Sequence, residues 1–171
     1  MKRGSFILML ALVDLFALRA TSAQAAADTE DTPVAKAASG PKVSLEAGIS
    51  ASEGLGKPVS ARLEKISDGF QLSVRTFKDG GFMLVFIDPV TGQVTSVDPI
   101  ADSKDLVTLK AESKAMGMAK VSLAAAVRKA VTANKGFRAM DVSPAIVDGH
   151  PIAEVTLVRG KGSKKVTEGL E

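Results

Sequence analysis

The chain has 171 residues, of which 46% are apolar, 24% charged and 4% aromatic, a composition that suits a folded chain of one domain or two small ones. It contains no Cys, Trp or Tyr and one His, which excludes disulfides, thiolate zinc sites, iron–sulfur clusters, cysteine nucleophiles and a multi-histidine metal site within the chain. Its 22 basic and 19 acidic residues give a formal charge of +3, too small an excess to argue for nucleic acid.

Met1-Lys2-Arg3 is a basic start, Phe6 to Phe16 is mostly apolar, and Thr21-Ser22-Ala23-Gln24-Ala25 ends on small residues. This is the order of a secretory signal peptide over residues 1–25, cleaved near Ala25. Asp14 and Arg19 interrupt the run, so an uncleaved anchor stays open as the other reading. The run is shorter than the ~20 apolar residues that span a bilayer. The expectation is an exported protein, periplasmic or secreted, with no membrane span after cleavage. Losing Lys2, Arg3, Arg19 and Asp14 leaves 19 basic and 18 acidic residues, so the mature chain is nearly neutral. Residues 26–41 are small and polar and read as a flexible leader, because they offer little apolar surface to offset the entropy of ordering them.

Residues 42–98 form the first expected unit. Ser44 suits a helix N-cap, and Leu45 and Ile49 share a helical face. The alternation of Val43, Leu45, Ala47, Ile49 and Ala51 also fits a strand, and Gly48 weakens a helix. Val59, Ala61 and Leu63 then alternate with polar residues, Asp68-Gly69 reads as a hairpin turn, and Phe70, Leu72 and Val74 alternate again. Lys78-Asp79-Gly80-Gly81 is a second turn. Phe82 to Ile87 is apolar on both faces and reads as the central strand. Asp88-Pro89-Val90-Thr91-Gly92 is a third turn, before a strand at 93–97. Residues 99–119 read as a connector, with a short strand at Leu106-Val107-Thr108-Leu109.

Residues 120–171 form the second unit. Lys42-Val43-Ser44-Leu45 recurs as Lys120-Val121-Ser122-Leu123, and Asp68-Gly69 as Asp148-Gly149, so an internal repeat is expected. Ser122 caps a helix whose Leu123, Val127, Ala130 and Val131 share one face. Strands follow at 138–147, 152–158 and 164–170. The expected class is α+β: two units, each one helix packed on a small antiparallel β-meander.

The string Phe82-Met83-Leu84-Val85-Phe86-Ile87-Asp88-Pro89-Val90-Thr91-Gly92-Gln93-Val94, with the capped helix, Gly-Lys-Pro-Val and the Asp-Gly and Gly-Gly turns before it, resembles the closing signature of PepSY domains. The resemblance runs from Val43 to Val97, and 120–171 is similar to a divergent second copy. PepSY domains include propeptide modules of thermolysin-type metalloproteases. The resemblance implies a tandem, exported bacterial module that binds and regulates, with an envelope protein, such as a peptidase, as its partner. No protease domain accompanies it, so any inhibition acts in trans. Gly80, Gly81, Asp88, Thr91 and Gly92 are its structural signature residues.

No reactive motif emerges. His-Glu-x-x-His, Gly-x-Ser-x-Gly and the phosphate-cradling Gly-Lys-Ser/Thr loop are missing from the sequence. Gly54-Leu55-Gly56 ends a helix instead of opening one. His150 follows a turn and reads as a turn residue rather than a base. Asp88, Asp98, Asp102 and Asp105 are too dispersed for a calcium loop. Lys161, Lys164 and Lys165 suit a solvated edge strand, or else a contact with anionic lipid or an acidic partner. Met116 and Met118 suit core filling or a soft docking spot, and Phe70, Phe82 and Phe86 suit the core. The expectation is therefore no catalytic, metal or cofactor residues and no enzyme. The alternative is a periplasmic protein that binds a small ligand or divalent metal in a groove between the units.

Overall fold

The computed structural model of the chain describes residues 40–171. The expected signal segment and residues 26–39 of the expected leader lie outside them. Helix α1 (Leu45–Ser52) begins at Ser44, whose Oγ accepts from the Ala47 N–H, and runs into a 3-10 turn at Glu53–Leu55. Strands β1 (Lys57–Ile66), β2 (Gly69–Lys78), β3 (Gly81–Ile87) and β4 (Val94–Pro99) follow. Then come α2 (Ser103–Met118) and α3 (Leu123–Ala133), and β5 (Arg138–Val147), β6 (His150–Arg159) and β7 (Gly162–Gly169). Among the described residues the strands form one antiparallel sheet of seven, in the order β4-β3-β2-β1-β5-β6-β7. The fold is α+β.

The order places β1 in the middle. The expectation that Phe82 to Ile87 is the central strand is corrected: β3 lies next to the β4 edge. Its two apolar faces have separate uses. Val85 and Ile87 join the main core, while Phe82 packs with Val59 and Leu109 in a second cluster.

Within 99–119 the expected short strand is corrected as well. Leu106 to Leu109 is helical, within α2. Asp102 caps this helix, its Oδ1 accepting from the N–H groups of Lys104 and Asp105 at 2.8 and 3.4 Å. Leu106 and Leu109, three residues apart, share a face with Glu112, Ala115 and Met116. That i, i+3 spacing is as compatible with a helix as with a short apolar strand.

The pairing register repeats along the chain. Val74 pairs with Val85 in β2–β3, and Val155 with Val166 in β6–β7. Ile66 pairs with Gly69, and Val147 with His150. Every such pair recurs 81 residues on. Even the bulge recurs, at Val59 in β1 and at Met140 in β5. The first hairpin loop is therefore Ser67-Asp68, not Asp68-Gly69, and its counterpart is Asp148-Gly149. Asp148 (φ 50°) and Gly149 (φ 83°) have the double positive φ of a tight type I′ hairpin, as do Asp79 (φ 50°) and Gly80 (φ 84°).

The starts of the helices are fastened alike. The Lys42 and Val43 N–H groups both donate to Pro89 O, and those of Lys120 and Val121 both donate to Leu170 O. The two meanders meet where Ala61 pairs with Val142 and Arg62 with Asp141. Helices α1 and α3 lie side by side on one face, sharing a core of Leu45, Ile49, Leu63, Leu72, Leu123, Val127, Val155 and Leu157. Because side chains alternate across a strand, Ser60 and Arg62 point to the opposite face from Ala61 and Leu63. That opposite face carries α2.

Candidate binding surface

Helix α2 covers only part of its face. It lies over the Lys57 end of β1 and the Pro144–Ile146 end of β5, held by Leu109 against Val59 and Phe82. Phe77 stacks obliquely on Phe82, with ring centroids 5.0 Å apart. Under the helix, Ser60 Oγ donates to Glu112 Oε2 at 2.8 Å. Glu112 is 7% exposed. Burial pushes its carboxyl above the usual range, against the pull of the Ser60 hydrogen bond, the Arg75 charge and the Ser143 hydroxyl.

Beyond the helix the face is open. Its centre is the ion pair of Arg62 Nε with Asp141 Oδ2 at 2.8 Å, which raises the guanidinium pKa. The pair joins the two meanders at their meeting point. On one side, Thr156, Lys165 and Met140 line a shallow cleft of about 430 Å³ with the same ion pair. On the other, Ile66, Gln71 and Phe86 line a second cleft of about 440 Å³, whose rim Phe70 reaches from the α1/α3 face of the sheet. Of the phenylalanines expected in the core, Phe82 is buried, Phe70 is half-buried against the main core, and Phe86 is half-buried on the open face. Met116 is buried as core, and Met118 is exposed.

The signature residues act on the loops. Asp88 Oδ1 accepts from the N–H groups of Val90 and Thr91 at 2.7 and 2.8 Å. The Asp88 N–H donates to Gln93 O and the Gly92 N–H to Asp88 O. Thr91 Oγ1 accepts from the Gln93 N–H. Gly92 takes φ 78°, beside Val43. The turn thus presents Pro89 O to the start of α1. Gly80 and Gly81 lie at the β2–β3 hairpin, remote in sequence pairing from the turn at 88–92.

The remaining candidates are scattered. His150 opens β6, with its Nδ1 2.9 Å from Glu171 Oε1, and this contact lowers the Glu171 pKa. Asp98 lies on β4, whereas Asp102 and Asp105 lie at the start of α2. Among the described residues no group of three His, Asp or Glu side chains is placed to hold a metal ion. A cleft of about 200 Å³ opens between Ile49 and Glu53, the end of α2 at Met116, and the start of α3 at Lys120–Leu123. No described helix is long and apolar enough to cross a membrane. The sequence reading missed Glu112, Arg62, Arg75 and Asp141. Alternation in β1 placed Arg62 on the polar face, but nothing in the sequence paired it with Asp141.

No protein-family model matches the chain, and no curated protein matches it. Among solved structures, a protein of Clostridium difficile 630 provisionally named a lipoprotein is similar at 15% identity and TM-score 0.40, over 70% of this chain and 80% of that one.

Proposed function

We propose that the chain is an exported, non-enzymatic binding module of PepSY type that docks on an envelope protein and regulates a peptidase in trans. The carrying observation is the sheet face that α2 leaves open, where apolar side chains flank a fixed ion pair. Half-buried Phe86 and exposed Ile66 supply area, and Arg62–Asp141 and Lys165 supply orientation and selectivity. The Val43–Val97 resemblance and the repeated register support the PepSY reading.

The test is inhibition of peptidase activity in a periplasmic extract by the full chain, with the partner captured and its affinity measured. Slowed proteolysis that Phe86→Asp or Arg62→Glu relieves is the expected result. No retained partner and no slowed peptidase, or equal action by both variants, overturns the reading. The cleft at Ile49, Met116 and Leu123 favours a second reading, a small ligand held between the two halves. Calorimetric titration with calcium, other divalent ions and small periplasmic metabolites checks it. Absence of heat and of a thermal shift removes it.

A further inference from the structure

We propose that the outer edge of β7 takes up an extended acidic segment of a partner protein, which pairs antiparallel as an added strand. This deepens the binding role proposed above, which it adjoins at Lys165.

The sheet contains its own precedent. Strand β7 occupies the place in the second half that β3 occupies in the first, residue for residue at a spacing of 81. The outer edge of β3 is covered by β4, with Val85 paired to Val97 and Leu84 to Asp98. Among the described residues no strand covers the corresponding edge of β7. Ser163, Lys164, Lys165 and Thr167 are exposed along it. An edge strand presents a row of backbone N–H and C=O groups that any extended chain can pair with. The position that Asp98 takes opposite Leu84 falls, in the second half, opposite Lys165.

Charge selects the occupant. Lys164 and Lys165 lie on β7 and Lys161 in the turn before it, and Glu168 is already held by Lys129 Nζ at 2.9 Å. Lys164 Nζ leans to the α3 side, 2.5 Å from Asn134 Oδ1 and 4.4 Å from the Phe137 ring centroid. Lys165 is on the other face, 3.6 Å from Glu154 Oε2 and mostly exposed. Two copies of this edge repel each other, so a second β7 is a poor partner. An acidic strand adds carboxylates beside the lysines while it fills the ladder, whereas a neutral strand adds none and a basic strand is repelled.

The probe is a fluorescent peptide, acetyl-Thr-Val-Asp-Val-Asp-Val-Thr-amide, titrated into the full chain, with amide hydrogen exchange read in parallel. Saturable binding with slowed exchange over 163–169 is expected. Lys165→Glu, at an exposed position within β7, weakens it by about five-fold, the equivalent of a cross-strand charge pair. A peptide N-methylated at alternate residues keeps its charge and does not bind. Equal binding by the methylated peptide overturns the proposal, because charge alone then explains the affinity. Slowed exchange over 94–99 instead, or self-association of the chain in place of binding, also overturns it. Phe86→Asp lies away from this edge and leaves peptide binding unchanged, so failure of the open-face reading is read separately.

Discussion

Gly48 sits inside α1, where a glycine costs roughly 1 kcal/mol relative to alanine. The reason lies across the core: a Cβ at this position would lie 2.6 Å from Leu72 Cδ2. At the corresponding places of the second half stand Ala126 and Ala153, so a small helix residue with a large strand residue is exchanged for two small ones. Leu72 is fully buried and has little room to retreat. Gly48→Ala is expected to destabilise by about 1–3 kcal/mol through overpacking, although alanine is the better helix former. Combined with Leu72→Ala, its cost shrinks, and denaturant titration of the double-mutant cycle reads the coupling. A stabilised Gly48→Ala would mean that the helix is not pressed on the strand.

Glu112 is the other residue whose environment decides its behaviour. Its folded-state pKa is raised above the ordinary 4.5, chiefly by burial. The folded chain therefore keeps this proton over a pH range in which the unfolded chain has released it. Stability falls as pH rises from about 4.5 through the raised value, and the loss is complete above it. Glu112→Gln keeps an acceptor for Ser60 and removes the charge. The variant is expected to melt higher than the parent at neutral pH and to lose that advantage below pH 4.5. Parallel thermal melts across pH check this, and a parent that gains stability over the variant as pH rises would contradict it.

At the scale of elements, α2 is held by few groups. Leu109 anchors it to Val59 and Phe82, and Asp102 caps it. Leu109→Ala is expected to cost about 2–5 kcal/mol and Asp102→Ala about 1 kcal/mol, with amide exchange accelerating first over 103–118. Exchange that accelerates equally in α1 and α3 would contradict a separately seated helix. The same element shows where sequence reasoning stops. The capped helices α1 and α3 and the hairpins at 79–80 and 148–149 carry local signals: Ser caps, alternation and Asp-Gly turns. In α2 the polar Glu112 lies in the apolar face. What satisfies it, Ser60 and the charge of Arg75, comes from β1 and β2, far away in the chain. Strand β3 misleads for a related reason: its second apolar face is divided between Phe82 beneath α2 and Phe86 on the open surface. Likewise, nothing local in β1 or β5 announces that Ala61 meets Val142.

Across the whole molecule, that meeting makes one body of two similar halves. The shared sheet and the common core of α1 and α3 leave neither half with a complete set of partners of its own. A single cooperative unfolding transition is expected, with coincident midpoints for probes in 45–87 and 123–168. Two separated midpoints would show that the halves hold themselves together independently. The function proposed rests on the same geometry, because joining the halves aligns their two outer faces into one surface, and α2 covers one part of it. The most direct measurement is hydroxyl-radical footprinting of the full chain with and without its captured envelope partner. Protection at Phe86, Ile66 and Met140, with Val107 and Met118 of α2 still reactive, is the expected result. Protection on α2 with none at Phe86 and Met140 would contradict the account.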